Sequence, residues 1–113
     1  MQLLHFDQSI TYFKEALTID STFINSYVNY GYLLNNNKQY ESAIELFRKG
    51  LNYVKSSEEK GYLEFNIATS YYRLKKCSKA IEMADSAILH LNSNEMTSKL
   101  SMFKNEVENN CKN

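Results

Sequence analysis

One pattern returns three times along these 113 residues, and it constrains the fold more than any other feature. The run Phe6–Leu17 places Phe6, Ile10, Phe13 and Leu17 at intervals of four, three and four. The same spacing reappears 34 residues later as Tyr40, Ile44, Phe47 and Leu51, and again 37 residues further on as Cys77, Ile81, Ala84 and Ile88. Intervals of three and four mark one face of a helix. A period near 34 marks a supersecondary unit that cannot bury its apolar face alone and therefore stacks on its neighbours. Stacking of this kind builds an extended surface that suits holding a partner better than it suits a reaction centre.

Composition narrows the class. With 13 basic and 13 acidic residues the formal charge is zero, which removes the long-range attraction a nucleic-acid binder relies on. No apolar run approaches the 18 or so residues that a membrane helix needs. The stretch Met1–Asp7 has neither a basic region nor a long apolar core, so no secretory leader is expected there, and a cytoplasmic location is. Two cysteines supply no metal spacing and imply no disulfide framework: Cys77 reads as a small buried group, Cys111 as part of a polar tail, and a reducing compartment is favoured.

The chain has no proline and three glycines, so helices can be long and closely spaced. The spacing predicts helices over 5–19, 22–35, 39–54, 58–74, 77–91 and 95–109, with residues 111–113 a frayed tail. Asp20 or Ser21 is expected to cap the second helix. Asn35, Asn36 and Asn37 are expected to end it, because asparagine tolerates the left-handed conformation. Ser56 and Glu59 form a capping box for the fourth. The apolar stripe Met96, Leu100, Phe103 and Val107 makes the last helix a cap on the array.

Two small-and-aromatic patterns then carry a resemblance. One reads Tyr27, Tyr30, Gly31, Leu34 and again Glu64, Ile67, Ala68, Tyr71. The other reads Ser9, Phe13, Ala16, then Ala43, Phe47, Gly50, then Ala80, Ala84, Ala87. Together they resemble tetratricopeptide repeats. The resemblance implies an all-α, right-handed superhelical array of antiparallel helix pairs, here about six helices in one domain over 1–110. Its parts are a half repeat at 5–19, repeats at 22–54 and 58–91, and a capping helix at 95–109. The small residues let helix backbones approach, and the aromatics fill the gaps between hairpins. The sequence departs from the family where proline usually follows the second helix: Ser21, Lys55 and Asn92 stand there. Glu64 and Ala84 also replace large apolar and aromatic residues, so the 58–91 pair is expected to be looser. A helical bundle with coincidental spacing is the plain alternative.

The resemblance implies that the first helix of each pair lines a concave face. The partner-binding residues expected there are Asn29, Tyr32, Asn36, Phe65, Asn66, Thr69, Tyr72 and Arg73. Amides at the equivalent positions Asn29 and Asn66 can both donate to and accept from a peptide backbone, aromatics supply contact area, and Arg73 can take a carboxylate. The family's chaperone-tail clamp needs a lysine where Val28 stands and an asparagine where Tyr32 stands, so that activity is not expected. The function implied is a non-catalytic interaction module, with a protein or peptide segment as partner and no nucleic acid or membrane. The alternatives are a peptide- or ligand-sensing regulatory domain, or self-association through residues 1–19, whose pairing helix is reduced to Met1–Leu4. His5 and His90 read as surface residues rather than metal ligands, no cofactor is expected, and no reactive groups converge. Arg73, Lys75, Lys76 and Lys79 form a small basic cluster at a turn.

Overall fold

The computed structural model describes residues 2–111, with side chains from residue 5 onward; Met1 and residues 112–113 of the expected tail lie outside the described residues. Six α-helices follow one another: α1 (Gln2–Ile19), α2 (Ile24–Asn36), α3 (Tyr40–Gly50), α4 (Ser57–Arg73), α5 (Cys77–His90) and α6 (Asn94–Asn110). A 3-10 turn, Leu51–Tyr53, extends α3, and no strand occurs among the described residues. Helices α2 and α3 pack as one hairpin and α4 and α5 as a second, with α3 against α4 between them. The molecule is a helical repeat array, as the periodicity predicts.

The small residues of the two hairpins lie in buried seams, whereas Ser9 and Ala16 of α1 are half-buried. Ala43, Ala68, Ala80, Ala84 and Ala87 are completely buried. A Cβ at Gly31 would lie 2.5 Å from Cζ of Phe47, so only glycine allows α2 to sit this close to the ring. Phe47 itself is fully buried beside Leu63 and Ile67, and burial of such side chains contributes roughly 1.5–3 kcal/mol each. Phe13 stacks on Tyr30 and brings α1 onto α2.

Equivalent positions in the two hairpins are filled differently. In the first, Tyr27 of α2 stacks on Tyr53 in the turn after α3. In the second, 37 residues on, Glu64 of α4 accepts a hydrogen bond from the Ser86 hydroxyl (2.7 Å) and lies 2.8 Å from Nδ1 of His90. Glu64 is 5% exposed, and these partners satisfy both carboxylate oxygens. The 58–91 pair is therefore not the looser one: its carboxylate is bonded and its alanines are sealed. His90 is correspondingly half-buried on Glu64 rather than a surface residue.

The helix ends follow local chemistry, with two differences from expectation. Ser56 and Ser93 cap α4 and α6, accepting from the backbone N–H of Glu59 and Met96. The Glu59 carboxylate reaches back to the N–H of Lys55. Asp20 does not cap α2: its carboxylate accepts from Thr22, backbone and hydroxyl, and those bonds hold its pKa below the ordinary aspartate value. The residue before α2 is Phe23, with no side-chain cap bond. At the far end of α2 the left-handed residue is Lys38 (φ 63°), not an asparagine. Lys75 (φ 62°) does the same after α4. Both turns close by the same pair of bonds: Lys38 to Asn35 O and Gln39 to Leu34 O, then Lys75 to Tyr72 O and Lys76 to Tyr71 O.

Helix α6 is fastened to the second hairpin by burial, by an ion pair and by a covalent bond, besides aromatic contacts. Leu100 and Val107 are fully buried. Lys104 lies 2.6 Å from Asp85 of α5, and that bond raises the lysine pKa above its ordinary value. Cys77, at the start of α5, forms a disulfide with Cys111 at the end of α6, their Cα atoms 6.3 Å apart. Here the structure corrects the reading of two thiols. Cys111 is a half-buried anchor rather than part of a frayed tail.

Candidate functional site

Helices α2 and α4 each expose one continuous stripe. On α2 it runs Asn25, Val28, Tyr32, Asn35 and Asn36, and on α4 Glu58, Tyr62, Asn66, Thr69 and Arg73. Spacings of three and four, with Asn36 beside Asn35 at the end of α2, keep each set on one side of its helix. The stripes line two open cavities, each of about 320 Å³, one toward each end of the helices.

The cavity at the helix C-termini is polar. Tyr32, Asn35, Asn36, Lys38, Tyr40, Asn66, Thr69 and Arg73 line it. Asn35 Oδ1 accepts from the hydroxyl of Ser70, 2.8 Å away, which fixes α2 to α4 across the floor. Asn66 donates one amide hydrogen to the Tyr62 carbonyl (3.0 Å). Thr69 donates to the Phe65 carbonyl. Tyr32 is 60% exposed, a large ring with no aromatic stack among the described residues. Arg73 is exposed at the rim and also lines a neighbouring open cavity with Lys75, Cys77 and Cys111.

The cavity at the helix N-termini is more apolar. Ile24, Val28, Tyr62, Leu91 and Met96 line it, with Asn25, Glu58 and Glu59 at its edge. Val28 and Tyr62 are not among the residues expected to bind a partner. Leu91 and Met96 belong to the following segment, and no local signal points them here.

Of the eight residues expected to bind a partner, five meet in the polar cavity: Tyr32, Asn36, Asn66, Thr69 and Arg73. Asn29 instead lines an open cavity against α1 with Tyr12, Phe13, Ile19 and Phe23. Phe65 and Tyr72 are turned to α6. Both rings pack edge-on against Phe103, and the Tyr72 hydroxyl donates to Glu106 (3.2 Å) and accepts from Asn110 (2.6 Å). The structure thus spends these two aromatics on holding α6.

No cluster of three or more metal-ligating side chains occurs among the described residues. No helix among them is long and apolar enough to cross a membrane. A family model described as tetratricopeptide repeat matches residues 12–45, which run from the middle of α1 through α2 into α3. No curated protein matches the chain.

Proposed function

We propose that this chain, whose residues 12–45 match a tetratricopeptide-repeat model, is a non-catalytic interaction module that holds an extended segment of a partner protein in an α2–α4 groove, since such repeats generally mediate contacts between proteins. The observation that supports this most is the convergence of Tyr32, Asn36, Asn66, Thr69 and Arg73 on one open polar cavity. Amide and hydroxyl groups there suit a peptide backbone, and an exposed ring beside them supplies contact area at low entropy cost.

A photoreactive residue in place of Tyr32 should crosslink a partner in native extract. The same residue in place of Glu82, on the exposed side of α5, should not. Asn66→Ala combined with Arg73→Ala should weaken the captured segment by about 1–3 kcal/mol in calorimetry without unfolding the protein. Equal crosslinking from both positions overturns the reading.

A second reading has its own observation. Tyr12, Ile19 and Phe23 are 66%, 85% and 52% exposed beside one cavity, an apolar face suited to self-association through α1. Sedimentation equilibrium should then show a dimer that Ile19→Glu dissolves. On compartment, the sequence expectation and the disulfide part ways. A cytoplasmic protein would carry Cys77 and Cys111 as thiols, whereas the bonded pair fits an oxidising compartment. Differential thiol labelling of the native protein separates the two.

A further inference from the structure

The groove has two chemically distinct ends. At the N-terminal ends of α2 and α4 it is apolar, with Val28, Tyr62 and Met96 forming the cavity and Glu58 at its rim. At their C-terminal ends it carries Lys38 and Arg73, and Lys75 continues the cationic edge on the far side of Arg73. Among the described residues none of these three cations is in an ion pair. Lys38 and Lys75 both hold a left-handed backbone in equivalent turns, where glycine would sit without steric cost. Strain of this kind gathers at functional positions.

Resting on the groove reading above, we infer that the bound segment carries a bulky apolar residue and, about five residues away, an acidic side chain. The apolar residue fills the Val28–Tyr62–Met96 cavity, and the carboxylate meets Arg73 between Lys38 and Lys75. The spacing comes from the helix. Tyr62 and Arg73 are eleven residues apart, which at 1.5 Å per residue is about 16 Å. An extended chain covers that distance in about five residues. Glu58 opposes the reverse placement, because it would set like charges together at the apolar end. Guanidinium and carboxylate geometry favours a bidentate contact at Arg73, with the lysines adding unoriented charge.

The test is selection of random twelve-residue displayed peptides on the intact protein, followed by fluorescence anisotropy with the enriched peptides made synthetically. Enrichment of an apolar residue followed or preceded by Asp or Glu at a spacing near five supports the inference. Binding should then fall tenfold or more with Val28→Glu and with Arg73→Glu, both checked for native helicity. Arg73→Glu should also invert the preference, binding a peptide whose acidic residue is changed to Lys better than the parent. Enriched peptides that depend on Asn66 and Tyr32 but carry no such pair overturn this inference and leave the groove reading standing. Peptides indifferent to every groove variant, or no enrichment, overturn both. A dimer of the free protein that Arg73→Glu abolishes assigns the groove to a second copy and also overturns the inference.

Discussion

Cys77 and Cys111 are joined across the ends of α5 and α6, closing a loop with a sequence separation of 34. In the chain-entropy picture, a loop of that length stabilises by about 4 kcal/mol at most. Both cysteines line an open cavity, so a dithiol can reach them without unfolding the protein. Urea unfolding should show Cys111→Ser less stable than the parent by about 2–4 kcal/mol. Reductant should destabilise the parent to the same extent and leave the variant unmoved.

The Glu64 carboxylate predicts an asymmetry. Removing its partners, with Ser86→Ala and His90→Ala together, leaves a buried charge unsatisfied and should cost about 3–5 kcal/mol. Glu64→Met removes the charge and fills the slot with apolar atoms, while Ser86 and His90 are exposed enough to turn to water. That variant should lie within about 1 kcal/mol of the parent in thermal or denaturant unfolding. Equal losses from both changes would show that the carboxylate itself stabilises the hairpin.

Lys38 and Lys75 predict a trade between stability and binding. Relieving their left-handed backbone with Lys38→Gly or Lys75→Gly should raise stability by about 0.5–1 kcal/mol in each case, measured by denaturant midpoint at constant slope. The same substitutions should weaken an acidic ligand of the groove, because each removes a cation from its edge.

The Gly31–Phe47 contact predicts loss in both directions. Gly31→Ala drives a methyl into the ring and should destabilise by about 1–3 kcal/mol, despite the better helix propensity of alanine. Phe47→Ala should cost about 3–5 kcal/mol by leaving a cavity. The double variant should fall short of the sum, since the alanine at 31 then occupies space the ring has vacated.

How far the sequence foretold the fold depends on the range of the interaction. The four-three-four spacing and the small residues Ala43, Gly31 and Ala80 report contacts that recur in each repeat, so helices and seams were legible. Ser56 with Glu59 was legible because a cap lies within four residues. The Cys77–Cys111 bond was not, because it depends on where two helix ends arrive after stacking. Glu64 looked like a flaw in an apolar pattern, and only the arrival of Ser86 and His90 from α5 makes it a satisfied group. In the polar cavity, helical spacing is enough to bring Tyr32, Asn66, Thr69 and Arg73 to one side. It could not show that Phe103 would take up Phe65 and Tyr72, nor that Asn29 would face α1.

A chain built from near-copies must also keep its hairpins from exchanging mates. At matching places, Tyr27 meets the ring of Tyr53, and Glu64 meets the imidazole and hydroxyl of His90 and Ser86. Trading α3 for α5 would set a ring where a carboxylate belongs and an anion against a ring, forfeiting the stack and both hydrogen bonds. The odd polar seam thereby makes the α4–α5 pairing chemically distinct from the α2–α3 pairing.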